Sequence, residues 1–299
     1  MGRQRAAVET TLAPAAENLL LALSSPRPRA KGTIDSYLLT ATNFLRFAGN
    51  DKSPGERQLR KYFVERRDQG VNDRTLRKEF AQLKKLYSSN HWDWPFTADD
   101  QPQPKERANT PAFTPQQIET LIRARDEYSR AERFCLAVST TWGCRREEIL
   151  RIRKRDYNAE IITIKPAKKR GEVALVQHVI PEEIKPILMD YRPNLTTAAS
   201  LSYIFQRILF KAGLGEMKGY SFHSVRGSLR TLLEWNLAKE GLPLSLVADF
   251  MGWSPSMKGI IYGGAAMLGV YSHPEILSPD PFGTDKLILS CHPFLQYYH

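Results

Sequence analysis

The sequence has 299 residues, of which 42% are hydrophobic and 25% are charged, as in globular proteins. Its formal net charge of +11 favours a polyanionic partner, either a nucleic acid or an anionic membrane surface. No run of 18 apolar residues occurs, which argues against a membrane-spanning helix, and the three cysteines form no Cys-x-x-Cys pair that would indicate a structural zinc.

The N-terminal stretch, residues 1–26, is predicted to be a loose tail with one short helix over APAAENLLLALSS. Its apolar patch, NLLLAL, is too short for a convincing signal peptide, and Glu17 precedes it closely. A basic chain with few cysteines and no recognisable export signal is expected in a reducing compartment. We therefore expect a cytoplasmic protein that acts on DNA or RNA.

Residues 27–96 are predicted to form a compact helical unit. Amphipathic helices begin near Thr33, after Ser53-Pro54 and at Asp73, each at a residue type that favours a helix start. Basic side chains cover the faces that the apolar residues leave open, and a solvated surface is the alternative for any single position. The basic residues that could follow a DNA backbone are Arg66, Arg67, Arg74, Arg77, Lys78, Lys84 and Lys85.

A linker is predicted over residues 97–112, TADDQPQPKERANTPA, which contain three prolines and few apolar side chains. A second domain then covers residues 113–299, where Thr114 and Pro115 start a helix. The buried helix AERFCLAVSTTWG is expected to run on through CRREEILRIRKRDY.

Two β-runs follow in AEIITIKPAKKRGEVALVQHVIP, on either side of a basic turn. The remaining predicted elements are helices, and the tail from Gly263 is expected to be irregular with an apolar end, DKLILSCHPFLQYYH. That end favours contacts exchanged between subunits, and packing on its own domain is the alternative. The fold class predicted is mainly α with a small β-hairpin.

The stretch SFHSVRGSLR places His223 and Arg226 three residues apart, a spacing that brings two side chains to one face of a helix. A guanidinium fits phosphate oxygens, and imidazole exchanges a proton near neutral pH. Together with Tyr262 this indicates attack on a phosphodiester by a phenolic oxygen. An ordinary polar helix face is the alternative for the pair alone.

Several motifs, in a fixed order, resemble those of the tyrosine recombinases, the phage-integrase family. The resemblance extends from about residue 27 to the C-terminal region. It implies a two-domain clamp on DNA, with a helical, SAM-like core-binding domain and a mixed α+β catalytic domain. The matching residues are Gly143, Arg145 and Glu148, the hairpin Lys165, His223-x-x-Arg226, Gly252-Trp253 and Tyr262.

The two arginines, Arg145 and Arg226, are expected to clamp the non-bridging oxygens of the phosphodiester and to stabilise its growing charge without a metal. The resemblance implies that Lys165 protonates the leaving 5′-oxygen, and Lys168 is the alternative. His223 would exchange a proton with the phosphate or the nucleophile.

Tyr262 is the expected nucleophile, because it lies at the family's spacing from Trp253. Tyr271 is the alternative, since it is followed by Ser-His as in many family members, whereas Tyr262 is followed by two glycines. Trp253 would contribute a hydrogen bond and packing. The turn residues expected to bind DNA are Lys168, Lys169 and Arg170.

The expected activity is site-specific DNA recombination or integration through a 3′-phosphotyrosine bond, with no cofactor and no metal. The expected partners are duplex DNA carrying specific sites and three further copies of the chain in a homotetramer, with no membrane. The alternatives are strand nicking and resealing like that of a type IB topoisomerase, and a catalytically silent DNA-binding protein.

Overall fold

The structure, a computed structural model, describes residues 13–49, 53–104, 111–167, 175–252 and 282–299. The chain divides into two compact units, Met1–Ala108 and Asn109–His299. The finer division into a tail, two domains and a linker remains a prediction. Among the described residues, no helix combines the length and the apolar character needed to cross a bilayer.

The described residues of the first unit form four helices. The side chain of Asn72 caps the last of them by accepting a hydrogen bond from the backbone N–H of Thr75 at 2.9 Å, which fixes where that helix begins. The four ranges are α1 (Pro14–Ser24), α2 (Lys31–Phe47), α3 (Glu56–Asp68) and α4 (Asp73–Ser89).

Leucine and aromatic side chains make up most of the core of the first unit. Phe44 of α2 meets Tyr62 of α3 edge to face, with 5.4 Å between ring centroids, and Phe80 of α4 stacks on Phe96 at 5.5 Å. Leu19 of α1 is fully buried in the same cluster. The N-terminal helix, predicted as part of a tail, therefore belongs to the core of this unit.

Arg66 has a structural role in the first unit. Its guanidinium donates to the buried carboxylate of Glu79, at 2.6 Å from Nη2 and 3.1 Å from Nε, and its Nη1 donates to Gln69. A buried carboxylate is costly without such a partner. Arg66 thus neutralises Glu79 within the fold.

The first half of the predicted linker is anchored to the same unit. Asp100 accepts hydrogen bonds from the backbone N–H and the hydroxyl of Thr97, at 2.9 and 3.0 Å, and from Arg60 at 3.3 Å. Pro102 is buried. Residues 97–104 therefore have the anchors that their composition did not suggest.

The second unit contains eight helices and one β-hairpin within the described residues, which confirms the mainly α fold class with a small antiparallel sheet. The ranges are α5 (Pro115–Arg123), α6 (Arg130–Trp142), α7 (Arg146–Ile149), β1 (Ile161–Ile164), β2 (Val176–Val179), α8 (Lys185–Met189), α9 (Ala198–Lys211), α10 (Phe222–Lys239), α11 (Ser245–Phe250) and α12 (Gly283–Ser290). Short 3₁₀ turns lie at Ala124–Glu127, Lys154–Asp156, Glu182–Ile184 and Leu295–Tyr298.

The predicted pair of β-runs is confirmed. β1 and β2 are antiparallel, with Ile161 opposite Val179 and Ile164 opposite Val176. Residues 168–174, which include most of the predicted basic turn, lie outside the described residues.

The predicted continuation of the buried helix through CRREEILRIRKRDY is wrong. α6 ends at Trp142, and Gly143 adopts a φ of +60°, in the left-handed region that favours glycine. A Cβ at this position would lie 2.6 Å from Cε of Met251 and 3.3 Å from Cγ of Arg226. The close approach of these two side chains requires glycine here, and the chain restarts as the short α7.

α10 runs through the core of the second unit and carries the predicted His-x-x-Arg pair. Its buried stripe packs against α6. Ser228 of α10 contacts the start of the unit, because its hydroxyl accepts a hydrogen bond from the backbone N–H of Phe113 at 2.7 Å. The buried apolar residues of the stripe are Val225, Leu229, Leu233 and Leu237.

The C-terminal segment, residues 282–299, packs on its own unit, which was the alternative to exchange between subunits. Phe294 is fully buried, and the hydroxyl of Tyr298 lies 2.8 Å from that of Thr140 on α6. The segment forms α12 and a 3₁₀ turn, so the expectation of an irregular chain is wrong for these residues.

His292 holds this segment in place as a neutral side chain. Its Nδ1 accepts hydrogen bonds from the backbone N–H groups of Phe294 and Leu295, so Nε2 carries the proton and donates to the carbonyl of Thr141 at 3.1 Å. Burial lowers the pKa of His292 from 6.5 to about 4.

This lowered pKa predicts that the protein loses stability between about pH 6.5 and pH 4. In that range the unfolded chain binds a proton at this residue and the folded chain does not, so the free energy of unfolding falls by at most about 3 kcal/mol as the pH is lowered. Denaturant unfolding at several pH values measures the effect. His292→Asn keeps an acceptor for the two N–H groups but cannot titrate, so its pH dependence in this range should be shallower. Equal acid sensitivity in both proteins would contradict the assignment.

Candidate active site

The turn at Gly143 delivers Arg145 to the start of α7, where it is the N-cap residue. Its Nη1 donates to Oε1 of Glu148 at 2.8 Å, and its backbone N–H donates to Oε2 at 2.6 Å. The side chain of Arg145 is 17% exposed and that of Glu148 only 4%. The carboxylate therefore fixes an arginine that still reaches the surface.

Glu148 also contacts the hairpin. Its Oε1 accepts from the backbone N–H of Ala167 at 3.0 Å, two residues after Lys165. One buried carboxylate thus accepts from Arg145 twice and from the lysine-bearing loop once. These contacts orient Arg145.

Arg226 lies deeper than its sequence pattern suggested. It is 4% exposed, and its guanidinium donates to the carbonyl of Gly143 and to the carbonyl of Met251, the latter at 2.9 Å. Burial, followed by the charge of Arg145, lowers the pKa of Arg226 to about 10, although Glu148 opposes the shift. Arg226 remains charged at neutral pH.

The cluster of two arginines and one carboxylate carries a net positive charge. Nη1 of Arg226 lies 3.9 Å from Oε2 of Glu148, so the one carboxylate is close to both guanidiniums. One positive charge is left uncompensated within this trio. An anion such as a phosphodiester would be attracted here, because a buried charge is stabilised by a partner of opposite sign.

His223 and Arg145 line one cavity of about 500 Å³, between the start of α7, α9 and the start of α10. His223 is exposed, whereas Arg226, three residues later, is buried. The two side chains were expected to point the same way. Instead Arg226 reaches inward to Gly143 and Met251. The remaining lining residues are Arg146, Glu147, Ser202, Phe205, Gln206, Tyr220, Ser221 and Phe222.

Lys165 follows directly after the last residue of β1 and is exposed to solvent. The chain around it is held on both sides, by the pairing of β1 with β2 and by the contact of Ala167 with Glu148. The hairpin thus links the predicted lysine to the carboxylate that orients Arg145.

Several predicted site residues lie outside the described residues. Gly252, the last described residue before Trp253, has a φ of +64°, and a Cβ there would lie 3.4 Å from Cγ of Pro166, which follows Lys165. The residues not described are Lys168, Lys169, Arg170, Trp253, Tyr262 and Tyr271.

The basic residues of the first unit that were predicted to follow a DNA backbone lie on α3, which carries Arg66 and Arg67, and on α4, which carries the other five. Arg77 donates to the side chain of Gln103 at 3.4 Å, and its guanidinium is on the outside of the unit. The exposed members of this set are Arg67, Arg74, Arg77, Lys78 and Lys84.

Sequence reasoning missed the carbonyl of Met251, which holds Arg226. A backbone acceptor leaves no signature in the residue type, so no pattern could have identified it. Gly143, by contrast, did carry a signal. A glycine that ends an apolar helix commonly occupies the left-handed cap position.

No family model matches this sequence, and no match to a curated protein was found. Solved structures do match. XerH site-specific recombinase bound to a difH substrate superposes with a TM-score of 0.59 at 18% identity, covering 82% of this chain and 80% of that one. The integrase of transposon Tn1549, in complex with transposon right-end DNA, gives 0.55 at 14% identity, covering 88% and 99%. A lambda integrase tetramer bound to a Holliday junction gives 0.57 at 11% identity, covering 80% and 73%.

These matches identify the fold. At such low identity the shared property is the chain path, and it is the path of the tyrosine recombinases. The residues that do chemistry must be argued from this chain itself.

Proposed function

We propose that this chain is a site-specific DNA recombinase or integrase that cuts and rejoins DNA strands through a covalent 3′-phosphotyrosine intermediate. The observation that carries the proposal is the cluster in which Glu148 lies against both Arg145 and Arg226. This cluster lies in a tyrosine recombinase fold, and Arg145 and His223 line the same cavity.

The two arginines supply the positive charge that the reaction needs. Negative charge on the non-bridging oxygens grows as the phosphorus becomes five-coordinate, and donors fixed before the reaction stabilise it most effectively. Glu148 fixes Arg145, and two backbone carbonyls fix Arg226. A preorganised pair of guanidiniums can therefore take the place of a metal.

In the proposed covalent step, one bond to phosphorus forms and another breaks. The phenolic oxygen of Tyr262 attacks the phosphorus, the bond from phosphorus to the 5′-oxygen breaks, and Lys165 gives that oxygen its proton. His223 takes up the proton from the nucleophile or holds the phosphate, and Trp253 donates a hydrogen bond. The phosphotyrosine bond keeps the energy of the phosphodiester, so religation needs no cofactor.

The proposed partner is duplex DNA with specific recombination sites, held between the two domains as in a clamp. Exchange of both strands at two sites requires four cleavages. Because each chain supplies one nucleophile, four chains are needed, which makes the assembly a homotetramer. The lambda integrase tetramer on a Holliday junction supports that assembly by analogy. A protein that acts on DNA in this way would work in the cytoplasm of a cell without a nucleus.

Covalent capture tests the proposal. The protein is incubated in EDTA with a nicked duplex that carries its site, denatured in detergent and examined for a protein–DNA adduct. An adduct supports strand cleavage by an active-site residue. Religation of only the original strand would indicate a topoisomerase-like activity, and binding without any adduct would indicate a silent DNA-binding protein.

DNA affinity is expected to depend steeply on salt, because the chain carries a net charge of +11. For six to ten phosphate contacts, the association constant should fall by about 10³–10⁵ between 50 and 200 mM salt. Lys78→Ala should reduce the slope of log K against log salt by about 1. Arg60→Gln is the matched control, since Arg60 is already paired with Glu56 and Asp100. A salt-independent affinity would contradict electrostatic binding.

A further inference from the structure

The C-terminal segment places one carboxylate on the hairpin. Oδ1 of Asp285, in the first turn of α12, lies 2.7 Å from Nδ1 of His178 on β2. Oδ2 of the same residue accepts from the backbone N–H of Val179 at 2.7 Å. The side chains of His178 and Asp285 are 3% and 11% exposed. Both carboxylate oxygens are thus used on β2, from outside the hairpin.

These contacts are not a helix cap. A carboxylate in the first turn of a helix commonly accepts from the N–H groups of its own helix. α12 has no side-chain hydrogen bond at its N-cap, and Asp285 reaches across to β2 instead. The contact therefore docks α12 on the hairpin.

β2 connects Asp285 to the part of the hairpin that carries Lys165. His178 lies opposite Ile162 of β1, and β1 ends one residue before Lys165. The ring of His178 is also held between aromatic neighbours, stacked on Trp142 at 6.0 Å and edge-on to Phe250 at 4.9 Å. A change in the position of β2 would therefore change the position of Lys165.

The hairpin needs such support, because a two-stranded sheet is only marginally stable by itself. β1 and β2 pair over four residues each, and the N–H of Val179 would otherwise be an unpaired donor. Glu148 holds the loop at Ala167, and Asp285 holds the other strand. Along the chain, Lys165 lies between Ile161, which pairs with Val179, and Ala167.

We infer that Asp285 is a positioning residue that sets the place of Lys165 for proton transfer by docking the C-terminal segment on the hairpin. The inference rests on the proposed function, in which Lys165 protonates the leaving 5′-oxygen. Asp285 acts through β2, which it contacts at His178 and Val179. Cleavage then depends on the docking of the C-terminal segment on the hairpin.

A substrate whose leaving oxygen is replaced by sulfur separates positioning from general stability. In a 5′-bridging phosphorothiolate, the tyrosine–phosphorus bond forms, the phosphorus–sulfur bond breaks, and a thiolate leaves. A thiol has a pKa of about 8.5, so its thiolate leaves without a proton donor. Cleavage of this substrate does not need a placed lysine.

Cleavage rates of the ordinary and the sulfur substrate are measured for the full-length chain and its variants. Lys165→Ala should cut the ordinary substrate about 10²–10⁴-fold more slowly and the sulfur substrate near the wild-type rate. Asp285→Asn should slow the ordinary substrate by about 10-fold or more and show the same recovery. His178→Phe keeps an aromatic ring at this position and loses the contact with Asp285. It should show the same loss on the ordinary substrate and the same recovery on the sulfur substrate, even if Asp285→Asn folds poorly.

Tyr298→Phe is the control, because it removes a hydrogen bond of the same segment on α6 and leaves the hairpin contacts intact. It should affect both substrates equally and slightly. Normal cleavage by Asp285→Asn, or an equal loss on both substrates, overturns the inference. No recovery in Lys165→Ala overturns the proposed role of Lys165 instead, and no adduct with the wild-type chain overturns the proposed function.

Discussion

Tyr262→Phe is expected to abolish covalent attachment of the protein to DNA while DNA affinity stays nearly unchanged. The substitution removes the oxygen proposed to attack the phosphorus and keeps the aromatic ring. A tyrosine ester is the intermediate itself, so no residual adduct should remain. Detergent-denatured reactions with a nicked substrate measure the adduct, and a binding titration measures the affinity.

Tyr271→Phe is the matched control, since Tyr271 is nine residues further along and makes the same chemical change. It should form the adduct at the wild-type rate. An adduct that persists in Tyr262→Phe and disappears in Tyr271→Phe would move the nucleophile to the YSHP segment.

Arg226→Ala is expected to slow cleavage by at least about 10²–10³-fold, the usual effect of one lost donor to a developing oxyanion. The loss of DNA affinity should be smaller, because Arg226 is 4% exposed and its proposed contact is with one phosphate. The substitution also leaves the carbonyls of Gly143 and Met251 without this donor. Single-turnover cleavage rates, measured beside thermal unfolding, separate the two consequences.

Arg230→Ala provides the control on the same helix. Arg230 lies one turn further along α10 and pairs with Glu234 at 2.8 Å, with its side chain 36% exposed. Exposed pairs of this kind contribute little, so cleavage should stay within a few-fold of wild type. Equal losses in both variants would assign the effect of Arg226→Ala to the stability of the helix.

Local patterns predicted much of the fold. Helical periodicity identified most of the helices, and the two apolar runs around a basic turn identified the hairpin. Arg145 and Glu148 were identified as residues of one motif, and their contact at 2.8 Å spans only three residues. Interactions of this kind depend on neighbours in the sequence, which is why the sequence reveals them.

The long-range contacts of the site could not be predicted. Arg226 reaches a carbonyl 83 residues earlier in the chain, and His178 meets Asp285 across 107 residues. The helix predicted through residue 157 failed because Met251 and Arg226 approach Gly143 closely. Such close approaches depend on how distant elements pack together. The residue types of one sequence do not reveal that packing.

Peptide mapping of the trapped adduct tests the proposed chemistry most directly. The wild-type chain is trapped on a nicked duplex, the DNA and protein are digested, and the modified peptide is identified by mass spectrometry. We expect the nucleotide mass on Tyr262, joined through a 3′-phosphate, and a free 5′-hydroxyl on the released strand. A modification on any residue other than a tyrosine, a 5′-phosphate on the released strand, or cleavage without an adduct would contradict a tyrosine recombinase mechanism.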